Sequence, residues 1–118
     1  MTLIEAIARI EGFYIPNSRP QRNNNPGDLE YGAFAKLHGA DRIEEGTPHP
    51  RFAHFPTAEM GFAALHALLT TTGYYTLTIE QAINKYAPPS ENNTTNYVQF
   101  VCEKVGCKPT DTVQEVLG

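Results

Sequence analysis

No apolar run in this 118-residue chain approaches membrane-spanning length, and no basic-then-apolar signal peptide opens it. A membrane span is excluded on that ground. Positive charge is scarce. Nine Lys and Arg stand against 13 Asp and Glu, for a net charge of −4, so no basic footprint argues for nucleic acid. The overall charge also gives no electrostatic steering towards an acidic bacterial envelope. His38, His49, His54 and His66 show no helical ligand spacing and no His-Glu-x-x-His pattern, so no metal is expected. Neither a Gly-x-Ser-x-Gly elbow nor a Gly-x-x-x-x-Gly-Lys phosphate loop occurs. Internal repeats and low-complexity tracts are absent too, and nothing asks for a cofactor.

Cysteine is down to Cys102 and Cys107. Gly106 between them reads as a helix-terminating glycine. That puts the two cysteines at the positions whose side chains meet in a Schellman ending. A plain apolar contact and a short-range disulfide both fit this spacing, and a zinc site does not. Cys102 falls on an apolar helix face, which favours structure over nucleophilic chemistry.

What is present is an ordinary globular composition, 41% hydrophobic, enough for one core and one domain over 1–118. Thr2-Leu3-Ile4-Glu5 reads as a capping box that starts a helix at once. Leu3, Ile7 and Ile10 give that helix an apolar face, and Gly12 stops it. Glu11 therefore sits in the last turn, at the negative end of the helix dipole. Walls from Phe13 and Tyr14 would desolvate it and raise its pKa, as a general acid requires. A solvated glutamate in a fraying turn is the alternative.

Ile15 to Gln21 holds two prolines and reads as loop. Arg22-Asn23-Asn24-Asn25-Pro26-Gly27-Asp28-Leu29 cannot be a regular element; its amides suit unusual dihedrals or contacts with sugar hydroxyls. Leu29 and Tyr31 alternate like a short strand, Gly32 to Pro50 reads as short strands or irregular loop, and Arg51–Phe55 reads as strand. Thr57 caps a helix carrying Phe62, Leu65, Leu68 and Leu69 towards Gly73, with His66 at its core edge. Thr78-Ile79-Glu80-Gln81 is a second capping box, opening a helix that Pro88-Pro89 stops. Asn93 or Thr94 caps a helix with Tyr97, Val98, Val101, Cys102 and Val105 on one face. Asp111 or Thr112 caps a last short helix. The expected fold is α+β and mostly α, with a small β excursion between Leu29 and Phe55.

Four blocks occur in order: Ile10-Glu11-Gly12-Phe13, Arg22 to Leu29, Arg51 to Leu65, and Tyr86-Ala-Pro-Pro-Ser-Glu-Asn-Asn-Thr-Thr-Asn-Tyr97. Together they resemble the small lysozyme-like peptidoglycan-cleaving domains of bacteria and phages, with soluble lytic transglycosylases and cell-wall glucosaminidases the nearest likenesses. The resemblance covers roughly Leu3 to Gly106. It implies helices on one side, a small β-hairpin on the other, and a glycan cleft between them. Glu11 matches the family's general acid/base at the end of the first long helix. Asn24 and Asn25 would wall the cleft, and Asp28, Tyr31, Tyr86, Asn93 and Tyr97 are further candidates for substrate binding. Tyr86 and Tyr97 also read as ordinary core aromatics.

Two departures stand out. Gly12 follows the glutamate where transglycosylases often have Ser, and their Gly-Leu-Met-Gln segment is replaced by the Asn-Pro-Gly-Asp run. A transglycosylase needs one acid/base. A hydrolase needs a second carboxylate, for which Asp28, Glu30 and Asp41 are candidates. The expected function is cleavage of the β-1,4 bond of peptidoglycan, by transglycosylation ahead of hydrolysis, by a monomer in the cell wall or periplasm. With no leader in the sequence, export or release would come from elsewhere, as for a phage-encoded protein or an excised domain. A silent glycan-binding or virion structural module of the same fold is the alternative from another class.

Overall fold

The computed structural model describes residues 1–118. It is a mostly helical α+β fold with one small antiparallel sheet of two strands. In chain order the elements are α1 (Leu3–Ile10), α2 (Arg19–Arg22), α3 (Ala33–Leu37), β1 (Arg42–Ile43), β2 (Ala53–His54), α4 (Ala58–Leu69), α5 (Ile79–Tyr86), α6 (Thr94–Val105) and α7 (Val113–Leu117). No helix is long and apolar enough to cross a membrane. The chain divides into two compact units, one of residues 7–67 and one of residues 1–6 with 68–118.

In the 7–67 unit, Ile7, Ala8, Leu29, Ala35, Ala53, Phe55, Ala64 and Leu65 are buried. Strand β1 pairs antiparallel with β2, Arg42 opposite His54 and Ile43 opposite Ala53. The strand expected around Leu29 and Tyr31 is reduced to one bridge, Glu30 to Phe52. Two short helices stand where loop or strand was expected. In α2, Ser18 caps the first turn by accepting from the Gln21 N–H (3.3 Å), and Pro20 lies where a helix has no use for a donor. In α3, no side chain caps the start, so no capping pattern marks it in the sequence. Thr57 caps α4 as expected, accepting from the Met60 N–H at 3.2 Å. The helix stops at Leu69, short of Gly73, because the chain from Thr71 to Leu77 closes into successive turns. His66 is exposed rather than at the core edge.

A close approach fixes α4 in this unit. A Cβ on Gly61 would lie 1.9 Å from the Asn24 carbonyl oxygen and 2.8 Å from the Pro26 Cδ. Only hydrogen at that position lets the asparagine-proline turn seat on the helix.

In the other unit, α5 packs on α6. Its core holds Leu3, Ala6, Leu69, Tyr74, Ile79, Ala82, Ile83, Ala87, Tyr97, Val98, Val101 and Val113. Full capping boxes open α5 (Thr78 with Gln81) and α7 (Thr112 with Glu115), each satisfying two otherwise orphaned donors. The two caps meet in a bridge between Thr78 and Thr112, flanked by Ile79 N–H to Asp111 C=O (2.7 Å) and Val113 N–H to Leu77 C=O (2.9 Å).

Candidate functional site

Glu11 is held by the end of α1. Its N–H donates to the Ile7 carbonyl at 3.0 Å. The Gly12 N–H reaches Arg9 (3.1 Å), and the Phe13 N–H reaches back to Ala8 (3.0 Å). With Gly12 at φ +89°, this is a Schellman ending, and Glu11 is its half-buried C-cap. Phe13 stands edge-on to both Tyr14 (5.3 Å) and Phe62 (5.2 Å).

Asp28 lies in the asparagine-rich turn, and its position is dictated by Asn25. The Asn25 side chain is fully buried. Its Nδ2 donates to the carbonyls of Leu29 and Ala53, both at 2.9 Å, and its Oδ1 accepts from the Leu29 N–H at 2.9 Å. The Asp28 N–H adds a bond to the Asn25 carbonyl (3.1 Å). Asn24 donates through Nδ2 to the Phe55 carbonyl at 2.9 Å. Both Asn24 (φ +51°) and Asp28 (φ +49°) adopt the left-handed conformation that short polar side chains tolerate best. The expectation that Asn24 and Asn25 wall a cleft is corrected for Asn25. Its amide is engaged inside the protein and positions the turn. The Asn24 amide is likewise used to tie the turn to Phe55.

The turn presents Asp28 in an unusual electrostatic setting. Burial, reinforced by the negative charge of Glu11, raises its carboxyl to about 7. Arg19 and Arg51 pull the other way, and Glu44 adds to the rise. Asp28 Oδ1 is buried with no hydrogen-bond partner, as suits a neutral acid better than an anion. Glu11 and Asp28 are thus within electrostatic reach of each other, 17 residues apart in sequence (28 − 11).

The other two candidates for a second carboxylate are engaged elsewhere. Glu30 pairs with Arg51 (Nε to Oε1, 2.6 Å) at an exposed site. Asp41 contacts His54 Nδ1 at 2.7 Å, and this bond holds its carboxyl below the usual range. Tyr31 is half-buried, with Lys36 Nζ 5.0 Å from its ring centroid.

A residue with no local signal in the sequence anchors the whole region. Glu44 is buried and takes both arms of the Arg19 guanidinium, Nε to Oε1 at 2.7 Å and Nη2 to Oε2 at 2.6 Å. It also accepts from the N–H groups of Phe52 (2.7 Å) and Arg51 (2.9 Å) and from Asn23 Nδ2 (3.3 Å). The Arg19 bond, aided by these donors, holds the Glu44 carboxyl down at about 2. Glu44 therefore ties α2 to the strand entering β2, on either side of the Asp28 turn.

Tyr86, Asn93 and Tyr97 belong to the other unit. Tyr86 is half-buried, its ring edge-on to Tyr74 with centroids 6.3 Å apart. Tyr97 is buried on the core face of α6 beside Val98 and Val101. Asn93 caps α6, accepting from the Asn96 N–H at 3.1 Å. It also lines a groove of about 490 Å³ with Glu80, Asn84, Thr95 and Gln99. No group of three or more His, Cys, Asp or Glu side chains stands together to hold a metal ion.

No known family matches the chain. The chain is similar to Protein P5 of Pseudoalteromonas phage PM2. The two are 34% identical over 93 residues, which is 75% of this chain and 56% of the phage protein. The chain thus spans little more than half the length of that relative.

Proposed function

We propose that the chain cleaves the β-1,4 glycosidic bond of peptidoglycan, with Glu11 as general acid and then general base. The observation that carries the reading is the Glu11–Asp28 pair. The Asp28 carboxyl is raised to about 7 with Glu11 in electrostatic reach, so near neutral pH the two carboxyls share one proton, and in this scheme Glu11 delivers it. The lysozyme-like blocks of the sequence support the same reading.

In the scheme, a carboxylic acid protonates the bridging oxygen as the bond to the anomeric carbon breaks. The resulting carboxylate then takes the proton of the attacking hydroxyl. With one carboxyl, that hydroxyl is the sugar's own 6-hydroxyl, the product is a 1,6-anhydro sugar, and the enzyme is a lytic transglycosylase. Asp28 favours a second reading. Its raised carboxyl supplies the second group that hydrolysis by water requires. In that case Asp28, which holds the pair's proton, is the acid, and Glu11 is the charged partner.

Mass spectrometry of the soluble products from purified peptidoglycan tests both, using wild type, Glu11→Gln and Asp28→Asn. Anhydro-muropeptides that vanish only in Glu11→Gln support the transglycosylase. Water-added products that vanish in both variants support the hydrolase. No products from the wild type would put a non-catalytic glycan-binding module in front.

A further inference from the structure

Cys102 and Cys107 flank Gly106, the left-handed residue that ends α6. The N–H groups of Gly106 (2.9 Å) and Cys107 (3.1 Å) both donate to the Cys102 carbonyl. This folds the chain back on itself, so the two half-buried side chains meet with their sulfurs 3.7 Å apart. A disulfide bond is about 2.05 Å long, so closure requires the sulfurs to approach by roughly 1.7 Å. Rotation about the two Cα–Cβ bonds is the movement that would bring them together. The segment after Cys107 is itself fixed. The Glu80 N–H bonds the Pro109 carbonyl (3.0 Å) and the Ile79 N–H bonds the Asp111 carbonyl (2.7 Å). The pair therefore sits where α6 meets a segment anchored to the start of α5.

We propose that Cys102 and Cys107 form a redox-active pair that closes to an intrachain disulfide by exchange with a small-molecule disulfide, clamping the end of α6 to the Cys107–Asp111 segment. Pro109, in the clamped segment, lines the groove together with Glu80 and Gln99.

The exchange balances in two steps. The Cys107 thiol gives up its proton, and its sulfur attacks one sulfur of the oxidant. This forms a mixed disulfide and releases a thiolate, which takes up the proton. Cys102 then loses its proton and attacks the Cys107 sulfur, releasing the second thiol. The protein is oxidised by two electrons, and one small disulfide is reduced to two thiols. Burial, together with the contact to Cys107, pushes the Cys102 thiol up to about 12. Cys102 is therefore poorly suited to the first attack and acts as the resolving thiol once the mixed disulfide is held beside it.

The test uses the full chain incubated with oxidised glutathione, unfolded in acid, alkylated and weighed intact. The expected species is monomeric, lighter than the reduced chain by two hydrogens, and takes no alkyl group. In Cys102→Ser, Cys107 should instead hold one glutathione permanently. Two alkylatable thiols in the treated wild type, a stable wild-type glutathione adduct, or a disulfide-linked dimer would each overturn the proposal. Thermal melting gives a second readout. The oxidised wild type should melt roughly 3–8 °C above the reduced form, and Cys102→Ser and Cys107→Ser should show no oxidant-dependent rise. An oxidised form that melts at or below the reduced one would also overturn the clamp.

Discussion

Burial of Asp28 and the negative charge of Glu11 together raise the Asp28 carboxyl to about 7. Burial is the larger cause of the high Asp28 carboxyl, and the Glu11 carboxylate is the next. Both favour the neutral acid, against Arg19 and Arg51. The coupling predicts a shift that needs no substrate. In Glu11→Gln the Asp28 carboxyl should titrate lower than in wild type, read by carbon NMR of its side chain. An unchanged titration would break the link between the two groups.

The same variant should lose activity while keeping its fold. The end of α1 is made by backbone bonds and by Gly12, and neither needs the charge. Release of soluble muropeptides should fall about 10²–10⁴-fold, the usual contribution of a positioned acid/base. Retention of more than a tenth of wild-type activity, with an unchanged circular dichroism spectrum, would remove Glu11 from the chemistry.

Asp28→Asn should be more stable than wild type at neutral pH, yet inactive if Asp28 takes part in the reaction. The sign follows from the titration. The carboxyl rises from an ordinary 3.8 to about 7 on folding. Its contribution is thus fully present below the unfolded value and lost as pH rises through about 7. Wild-type stability should fall across that window, and the variant should lack this slope. The gain near pH 8 should be on the order of 2–4 kcal/mol by denaturant titration, helped by the tolerance of Asn for the left-handed backbone. A variant less stable than wild type at pH 8 would mean that Asp28 is a structural anion.

Glu44 has the opposite dependence. Its carboxyl falls from 4.5 to about 2, mainly through Arg19. The stability it contributes is present above the unfolded value and lost as pH drops towards the folded one. Glu44→Gln should cost on the order of 2–4 kcal/mol at pH 7, since the buried pair and several charge-assisted bonds go together. The difference from wild type should start to shrink below about pH 4.5, where the unfolded carboxyl takes up its proton, and be lost as pH falls through about 2. Equal unfolding midpoints in urea at pH 7 would contradict this.

Gly61→Ala and Asn25→Ala should both loosen the Asp28 turn, by different routes. The first places a methyl group into the Asn24 carbonyl and Pro26, and something must move. The second strands the Leu29 N–H and takes a donor from two carbonyls, at roughly 2–4 kcal/mol. In each variant the Asp28 carboxyl should titrate nearer its ordinary value as water enters. Hydrogen exchange at the Leu29 and Ala53 amides should quicken. A protected Leu29 amide in Asn25→Ala would show that another group replaces the lost acceptor.

The legible parts of the chain were those whose signals are local. Thr78 with Gln81, Thr112 as a cap, Thr57 before α4, and Gly12 and Gly106 as helix stops each act through bonds within a few residues. Helix α2 reads as loop in the sequence because prolines mark loops more often than first turns; in the structure Ser18 caps it and Pro20 sits in its first turn. Helix α3 has five residues, no capping side chain and an exposed Leu37, so neither periodicity nor capping could reveal it. Glu11 could be singled out because Gly12 follows it. Asn25 was identified as an amide of interest, but its partners Leu29 and Ala53 come together only across the turn and the strand. Nothing around Glu44 announced that Arg19, 25 residues earlier, would meet it.

The sequence by itself determined where most helices start and stop, that Glu11 ends the first of them, and that Cys102 and Cys107 face each other across Gly106. Hydrogen-bonded caps and stops are short-range, so the residues that make them also report them. Only the tertiary structure decided that Asp28 carries the raised carboxyl, that Asn25 holds its turn, and that Glu44 is a buried anchor. A carboxyl's proton affinity depends on the water excluded and the charges gathered around it, and both are set by segments far apart along the chain.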